Sequence, residues 1–312
     1  MSQSSSVRTV IDIGTNSVKV LVARVVGSAI EPIFEKNIQT RLGRGLYETK
    51  RLSDASIRHT AEVIAEYMNT ARSYGSERNI IVATSAARDA ENHQEFRQAI
   101  HAVAGQYPEI ISGDREAELA YRGIRAQPGL DSGLVFVVDV GGGSTEFIVG
   151  SGETPAFSIS IPLGSVRAMS QFNFADPPGE EGLNRCLEFV REFLDSGTLP
   201  KDQIRRHLDP ISTLAGTGGT TTFLSKMFHE TDDFDREQIE STVLDRATLM
   251  KLTNRLWTSP LEQRKKIPGI PPERADVIPF GAAIHLVILD EFNLDKLVAS
   301  TRGIRTGLLL DE

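Results

Sequence analysis

The sequence predicts an α/β fold made of two related halves, and two observations support this prediction. First, apolar strands alternate with amphipathic helices through most of the 312 residues, which is typical of sheets covered by helices. Second, residues 7–25 and residues 137–150 follow the same pattern: an apolar strand ends on an aspartate, passes through a glycine turn with small polar residues, and restarts as a second strand. Such internal similarity is typical of a duplicated fold, and the length agrees with about two domains.

The first half contains helix and strand signals in alternation after the initial hairpin. Ser53 and Asp54 are good N-cap residues, and the apolar side chains that follow them recur at helical spacing until Gly75. The predicted elements are an extended segment at 31–42, a helix at 53–75, a buried strand within 79–88, a helix carrying Phe96 and Ile100, a strand at 109–111 and a helix within 112–124.

The second half continues the alternation after its own hairpin. The helix that follows the hairpin is indicated by apolar residues at helical spacing, namely Leu183, Leu187, Val190 and Leu194. The predicted elements are a strand at 156–161, this helix, a buried strand that begins at residue 211 and leads into a glycine turn at 216–219, a helix capped by Thr220, an apolar helix from about Pro279, a strand at 296–300 and a short helix from Gly303.

The two hairpin turns indicate a site for phosphate. The three consecutive glycines at 141–143 contribute no packing and cost backbone entropy. One explanation is a tight hairpin whose glycines supply positive φ angles. Their counterpart in the first half favours a functional role, because N–H groups of such turns bind phosphate oxygens and carboxylates hold the accompanying cation. Asp12 and Asp139 end the first strand of each hairpin. Two hairpins that face each other would aim both turns and both carboxylates into one cleft.

Composition and charge exclude several classes of protein. A content of 40% hydrophobic and 24% charged residues is ordinary for a globular protein, and no apolar run approaches the roughly 20 residues needed to cross a bilayer. A net charge of −8 argues against a nucleic-acid partner. The single cysteine, Cys186, excludes an internal disulfide and favours a reducing, cytoplasmic location. Six scattered histidines form no ligand cluster, and His285 in its apolar helix favours packing over metal binding.

Three further features each have a structural and a functional explanation. The turn at 216–219 offers N–H groups and a positive dipole end to a phosphate or nucleotide, but a close approach of helix and strand requires glycine equally well. Glu116 and Glu118 lie at the start of a predicted helix, where acids commonly complement the helix dipole. Arg41 and Arg88 follow strands, whose ends line ligand crevices in open α/β sheets, although a surface arginine without a role is the commoner case.

The motifs together resemble one family. DIGTNS, TRLGRGL, ATSAAR, ISGDREAEL, DVGGGSTEF, LAGTGGT and STRGIRTGLL occur in the order found in the exopolyphosphatase and guanosine pentaphosphate phosphohydrolase family, and the resemblance covers essentially the whole chain. The first and fifth motifs alone indicate only the wider superfamily of actin, sugar kinases and heat-shock chaperones. The implied fold is two ribonuclease-H-like, actin-like ATPase domains around a central cleft. The implied domains are residues 1–125, with 302–312 returning to them, and residues 126–301.

The resemblance also implies roles for individual residues. Glu116 would be the catalytic base, while Asp12, Asp139 and Glu146 would serve Mg²⁺ or another divalent cation and the reacting phosphate. The implied phosphate-binding residues are Gly14, Thr15, Asn16, Ser17, Arg41, Arg88, Gly141, Gly142, Gly143 and Ser144, and a functional third turn would add Gly216, Gly218 and Gly219.

Two departures from the family pattern stand out. The family usually places serine at Thr15 and arginine at Lys19, and lysine keeps the charge but lacks the bidentate fork for phosphate. The chain also ends where longer members carry an additional HD-type C-terminal region, so it resembles the short, two-domain form.

The implied activity is removal of terminal phosphate from inorganic polyphosphate, with guanosine pentaphosphate as a second substrate, by metal-assisted attack of water. Splitting a phosphoanhydride needs positioning and charge neutralisation more than covalent chemistry, which agrees with two phosphate turns and several acids. Two alternatives stay open: an actin-like kinase or ATPase that uses residues 216–220 for adenosine, and a non-hydrolytic sensor of guanosine tetra- or pentaphosphate. The resemblance further implies a homodimer.

Overall fold

The polypeptide divides into two compact units. The computed structural model describes residues 5–208 and 213–311. Unit 1 comprises the chain up to Gly123 together with the chain from Ile304, and unit 2 comprises Ile124–Gly303. Each unit contains one mixed β-sheet with helices packed against it, which confirms the predicted α/β class.

Unit 1 begins with a three-stranded meander and continues with alternating helices and strands. Its elements up to the crossing into unit 2 are β1 (Ser5–Ile13), β2 (Val18–Val26), β3 (Ala29–Ile38), α1 (Leu46–Thr49), α2 (Asp54–Ser73), β4 (Arg78–Ala83), α3 (Ser85–Asp89), α4 (His93–Ala104), β5 (Glu109–Ile110) and α5 (Gly113–Arg125).

Unit 2 begins with a second three-stranded meander. Its elements are β6 (Val135–Val140), β7 (Thr145–Gly150), β8 (Phe157–Ile161), α6 (Ser165–Met169), α7 (Gly179–Phe193), a π-type turn (Leu194–Thr198), α8 (Lys201–His207), β9 (Thr213–Thr217), α9 (Gly218–Phe228), α10 (Arg236–Glu240), β10 (Val243–Asp245), α11 (Arg246–Thr258), α12 (Leu261–Arg264), a 3-10 turn (Pro272–Arg274), α13 (Ile278–Glu291) and β11 (Lys296–Ala299). The last helix, α14 (Ile304–Leu310), packs against β1 of unit 1.

The two sheets share one strand order. In unit 1 the order is β3-β2-β1-β4-β5, with an antiparallel meander followed by two parallel strands. In unit 2 the strands β8-β7-β6-β9-β11 repeat that order and those directions, and β10 adds an antiparallel edge strand. The duplication that the hairpin sequences indicate therefore extends over both sheets.

Capping and burial explain two of the longer helices. The hydroxyl of Ser53 accepts a hydrogen bond from the N–H of Ser56 at the start of α2, and Gly75, with φ +68°, follows its end. Helix α13 is apolar on all sides because it is buried from Ile278 to Leu289. Within the described residues, no helix combines the length and the apolar character that a membrane span requires.

The helix after the third glycine turn begins earlier than predicted. Its N-cap is Thr217 and its first residue is Gly218, so Thr220 lies inside the helix rather than at its cap. The hydroxyl of Thr222 donates to the carbonyl of Gly218 one turn earlier, at 2.9 Å. The prediction was wrong because Gly218 and Gly219 belong to the helix, although glycine is a weak helix former and is typical of turns. Residues 211–212, where the preceding strand was predicted to begin, lie outside the described residues.

Candidate active site

Both hairpin turns close with the same hydrogen bond. The N–H of Gly14 donates to the carbonyl of Ser17 at 2.9 Å, and the N–H of Gly141 donates to the carbonyl of Ser144 at 3.0 Å. The same four-residue turn therefore stands at the end of β1 and at the end of β6. This agrees with the alignment of the two sequence motifs.

The first turn is supported by the segment that follows β3. The carbonyl of Thr15 accepts from the N–H of Gly43 at 2.7 Å, and the carbonyl of Asn16 accepts from the N–H of Arg41 at 3.0 Å. In a planar trans peptide the carbonyl and the next N–H point in opposite directions. The N–H groups of Asn16 and Ser17 therefore point away from the supporting segment, as a phosphate-binding turn requires.

The second turn is supported in the same way but more completely. All three carbonyls of residues 141–143 accept hydrogen bonds at 2.8–3.1 Å. The donors are the N–H groups of Ser165, Val166 and Arg167 and the Nε of Arg167, all from α6. By the same peptide geometry, the N–H groups of residues 142–144 point away from α6. Three successive N–H groups on one side form the kind of concavity that binds anions.

A Leu-Gly pair after the third strand of each unit makes this support possible. A Cβ on Gly43 would collide with the Cγ2 of Thr15, and a Cβ on Gly164 would lie 2.5 Å from the backbone of the second turn. The preceding Leu42 and Leu163 are buried in the two cores. These glycines were not among the predicted site residues, although Leu-Gly recurs at matching places in the two halves of the sequence.

The acids of the two hairpins have different partners across the hairpin. Asp139 of β6 lies opposite Glu146 of β7, whereas Asp12 of β1 lies opposite Lys19 of β2. The Nζ of Lys19 is 3.9 Å from the Oδ2 of Asp12. Glu146 is only 1% exposed, and its Oε1 accepts a hydrogen bond from the hydroxyl of Ser160 on β8 at 2.7 Å. Unit 2 therefore has a pair of adjacent carboxylates where unit 1 has an acid and an ammonium.

The carboxylates have the chemistry of divalent-cation ligands. Carboxylate oxygens are the donors that Mg²⁺ prefers, and directly opposed strand residues place two of them side by side at Asp139 and Glu146. Asp12 is 5% exposed, and its Oδ1 is buried without a hydrogen-bond partner in the described part of the chain. Asp12 belongs to unit 1 and the other two acids to unit 2. Across residues 5–208 and 213–311, no three His, Cys, Asp or Glu side chains are grouped as a ready metal cluster.

The turn predicted at 216–219 is not formed, because Gly216 lies in β9 and Gly218 and Gly219 lie in α9. Each of these glycines has its own structural reason. Gly216 is buried, and a Cβ there would lie 2.8 Å from a leucine side chain on β11, so packing accounts for it. Gly218 has φ +87°, and a Cβ there would collide with Oδ1 of Asp139. Gly219 lies beside the guanidinium of Arg274. The start of α9 therefore contacts one of the proposed metal ligands.

The structure brings Arg88 and Glu116 together. Arg88 lies on the short helix α3 rather than at the strand end, and Glu116 lies in the first turn of α5. The Nη1 of Arg88 is 3.1 Å from the Oε2 of Glu116 and also donates to the carbonyl of Ile111 at 2.9 Å. Glu116 is only 6% exposed, so its carboxylate is a buried, paired group and not a solvated acid at a helix start.

Glu118 and Arg41 differ from that pair. Glu118 forms ion pairs with Arg115 at 2.7 Å and with Arg122 at 3.4 Å, and its side chain is partly exposed, as expected of a surface acid. Arg41 has φ +51°, which is uncommon for a residue other than glycine. The bond from its N–H to the first turn holds it in this conformation.

His285 belongs to the packing of α13 against α9. Its Nδ1 lies 2.8 Å from the carbonyl of Gly281 and its Nε2 lies 3.1 Å from the hydroxyl of Thr221. Because a carbonyl only accepts, the proton is assigned to Nδ1. Burial lowers the pKa of His285 to about 4, so the imidazole is neutral at ordinary pH.

The fold and the paired turns define a class of protein. Two sheets of one strand order, each with an acid at the end of its first strand and a supported N–H turn, are those of the actin-like ATPase superfamily. Within this class, the chain belongs to the Ppx/GppA phosphatase family, whose model matches residues 21–312.

Individual relatives agree with this assignment. Exopolyphosphatase 2 of Mycobacterium tuberculosis is 32% identical over 315 residues, which cover 96% of each chain. The crystal structure of the Aquifex aeolicus member of the Ppx/GppA family is 31% identical, covers 99% of this chain and 97% of its own, and has a TM-score of 0.79. An exopolyphosphatase from Cytophaga hutchinsonii is 24% identical, covers 99% and 98%, and shares the fold with a TM-score of 0.88. The predicted family and the actin-like fold are thus confirmed.

Proposed function

We propose that the protein is an exopolyphosphatase that hydrolyses the terminal phosphoanhydride bond of inorganic polyphosphate. The observation that supports this most strongly is the second turn, where every glycine carbonyl is engaged on one side and the N–H groups of residues 142–144 point to the other. Membership of a phosphatase family and the name of the M. tuberculosis relative support the substrate class. Guanosine pentaphosphate carries the same type of terminal phosphoanhydride and is included as a second substrate.

In this proposal the two turns bind phosphate oxygens and two arginines add positive charge. The turns are residues 14–17 and residues 141–144, and the arginines are Arg41 and Arg88. The predicted N-terminal domain, residues 1–125 with 302–312, supplies the first turn, and the predicted C-terminal domain, residues 126–301, supplies the second. Phosphoryl transfer depends mainly on such positioning and neutralisation. An overall charge of −8 makes these local groups necessary, because the protein as a whole repels a polyanion.

We assign the acids of the hairpins as ligands of a divalent cation. Asp139, Glu146 and Asp12 would hold Mg²⁺, and the buried, unpartnered Oδ1 of Asp12 is an observation in favour of a ligand there. When bound, the ion supplies charge neutralisation on the phosphate oxygens. Gly218 leaves room for the carboxylate of Asp139 beside α9.

We assign the role of general base to Glu116. As the oxygen of a water molecule bonds to the terminal phosphorus, the Glu116 carboxylate takes one proton from that water. The bridging P–O bond breaks, and its electron pair leaves with the shortened chain. The bond to Arg88 fixes the orientation of the carboxylate before substrate arrives. A positioned base typically contributes about 10²- to 10⁴-fold to the rate.

Phosphate release tests the proposal directly. Purified full-length protein is incubated with tripolyphosphate, long-chain polyphosphate, guanosine pentaphosphate and ATP, each with and without Mg²⁺. We expect metal-dependent release of orthophosphate, fastest from a polyphosphate. Faster turnover of ATP would favour the kinase or ATPase alternative. Tight calorimetric binding of guanosine pentaphosphate without any product would favour the sensor.

A further inference from the structure

The hydroxyl of Ser160 contacts a proposed metal ligand. Ser160 stands on β8 directly opposite Glu146 of β7, and its Oγ lies 2.7 Å from the Oε1 of Glu146. A carboxylate only accepts hydrogen bonds, so the hydroxyl donates its single proton to Glu146. Because Glu146 is buried, bulk water competes little for this bond. One oxygen of the carboxylate is therefore tied to the neighbouring strand.

Among the described residues, the equivalent place in unit 1 shows no such bond. The position that matches Glu146 is Lys19, and the residue opposite it on β3 is the exposed Asn37. Lys19 approaches Asp12 across its own hairpin instead. The third strand of unit 2 thus has a hydroxyl opposite the acid Glu146, whereas the third strand of unit 1 has an amide side chain opposite Lys19. This contrast points to a role for the hydroxyl that depends on the carboxylate and not on the sheet.

We propose that Ser160 is a positioning residue for metal binding by Glu146. The inference rests on the metal role of Glu146 in the proposed function. By holding Oε1, the hydroxyl restricts the carboxylate to one orientation before the ion arrives, so less side-chain freedom is lost on binding. Outer partners that orient metal ligands typically contribute about 10- to 100-fold in metal affinity.

The chain offers matched controls for this hydroxyl. Ser158 lies on the same strand, two residues earlier and on the same face, but opposite the apolar Ile148. Ser158→Ala therefore removes a hydroxyl from β8 without touching Glu146. At position 160 itself, two pairs of proteins differ in the hydroxyl. One pair is wild type and Ser160→Ala, and the other is Ser160→Thr and Ser160→Val.

The experiment measures Mn²⁺ binding to the full-length protein without substrate, by the electron paramagnetic resonance of free Mn²⁺. We expect Ser160→Ala and Ser160→Val to raise the dissociation constant by about 10- to 100-fold. Ser160→Thr and Ser158→Ala should stay within about threefold of wild type, because both keep the bond to Glu146. Thermal unfolding of each variant checks that the fold is retained. If the unfolding midpoint of Ser160→Thr or Ser160→Val differs from that of wild type, these two variants are compared with each other.

Two results overturn the proposal in distinguishable ways. If Glu146→Gln weakens Mn²⁺ binding while Ser160→Ala and Ser160→Val leave it unchanged, the positioning role fails and the proposed function stands. If Glu146→Gln also binds Mn²⁺ like wild type, or wild type binds none, the metal assignment of Glu146 fails together with the inference. A loss in Ser158→Ala equal to that in Ser160→Ala would show a general effect on β8 and would equally overturn it.

Discussion

The guanidinium of Arg88 connects the proposed base Glu116 to the end of β5. Its Nη1 lies 3.1 Å from the Oε2 of Glu116 and 2.9 Å from the carbonyl oxygen of Ile111, the residue after the strand. Removing one partner of a buried ion pair leaves the other charge without compensation. The proposed phosphate-binding arginine and the proposed base therefore depend on each other, and substitutions of the two must be compared.

Glu116→Gln should lower kcat by two or more decades while KM stays the same or falls. The amide keeps a similar shape but does not take a proton from water, and it removes a negative charge near an anionic substrate. Additional Mg²⁺ should not restore the rate. Steady-state kinetics over a Mg²⁺ titration check this, with Glu118→Gln on the same helix as the control. A near-normal kcat in Glu116→Gln, or recovery with Mg²⁺, would show that Glu116 is not the base.

Arg88→Lys should lower kcat/KM by about 10- to 100-fold, although the charge is kept. Arg88 uses Nη1 for both Glu116 and Ile111 and keeps Nη2 and Nε for the proposed contact with phosphate, whereas lysine has a single nitrogen for all three. The loss corresponds to one hydrogen bond to a charged group, about 1.5–3 kcal/mol. Arg72→Lys, an exposed arginine on α2, is the control and should behave as wild type. Equal kinetics for Arg88→Lys and wild type would exclude a role that needs the guanidinium.

Gly164→Ala should lower both activity and stability. The added Cβ would lie 2.5 Å from the carbonyl group of Gly142, so the second turn must shift. Displacing a substrate-positioning group by about 1 Å costs up to about 10²-fold in rate, whereas such overpacking costs about 1–3 kcal/mol of stability. Gly152→Ala is the control, because a Cβ there meets nothing within 4 Å. If Gly164→Ala folds and keeps full activity by phosphate release, the shape of this turn is not critical.

The hairpins and the sheet class were predictable because their signals are local. An apolar run that ends on Asp12 or Asp139, followed by a glycine turn, specifies a strand, a turn and a second strand within about twenty residues. The repeat between the halves then indicated the duplication before any strand order was known. The phosphate turns were predicted on the same local evidence, and their binding role stays a prediction.

The contacts around the turns were not predictable, because they join residues that are distant in sequence. The pair of Arg88 and Glu116 depends on α3 and α5 meeting, and each residue alone had an ordinary surface explanation. The contact of Ser160 with Glu146 depends on the register of β8, which places the two residues opposite each other. One-residue slippage in that register would have turned the hydroxyl to the other face of the sheet.

His285 should make the protein less stable as the pH falls below neutrality. The imidazole is 1% exposed, and burial lowers its pKa to about 4 in the folded protein, against 6.5 for the ordinary group. The unfolded chain therefore binds the proton more readily between these values, and protonation favours unfolding. The stabilising contribution is complete above about pH 6.5, is lost progressively as the pH falls towards 4, and amounts to about 3 kcal/mol at 1.36 kcal/mol per pKa unit.

Urea unfolding of wild type and His285→Gln from pH 7.5 to 4.5 measures this contribution, because the difference between their unfolding free energies cancels the other titrating groups. We expect that difference to shrink with falling pH. Parallel pH profiles for wild type and His285→Gln would show that His285 does not titrate with a lowered pKa in the folded state.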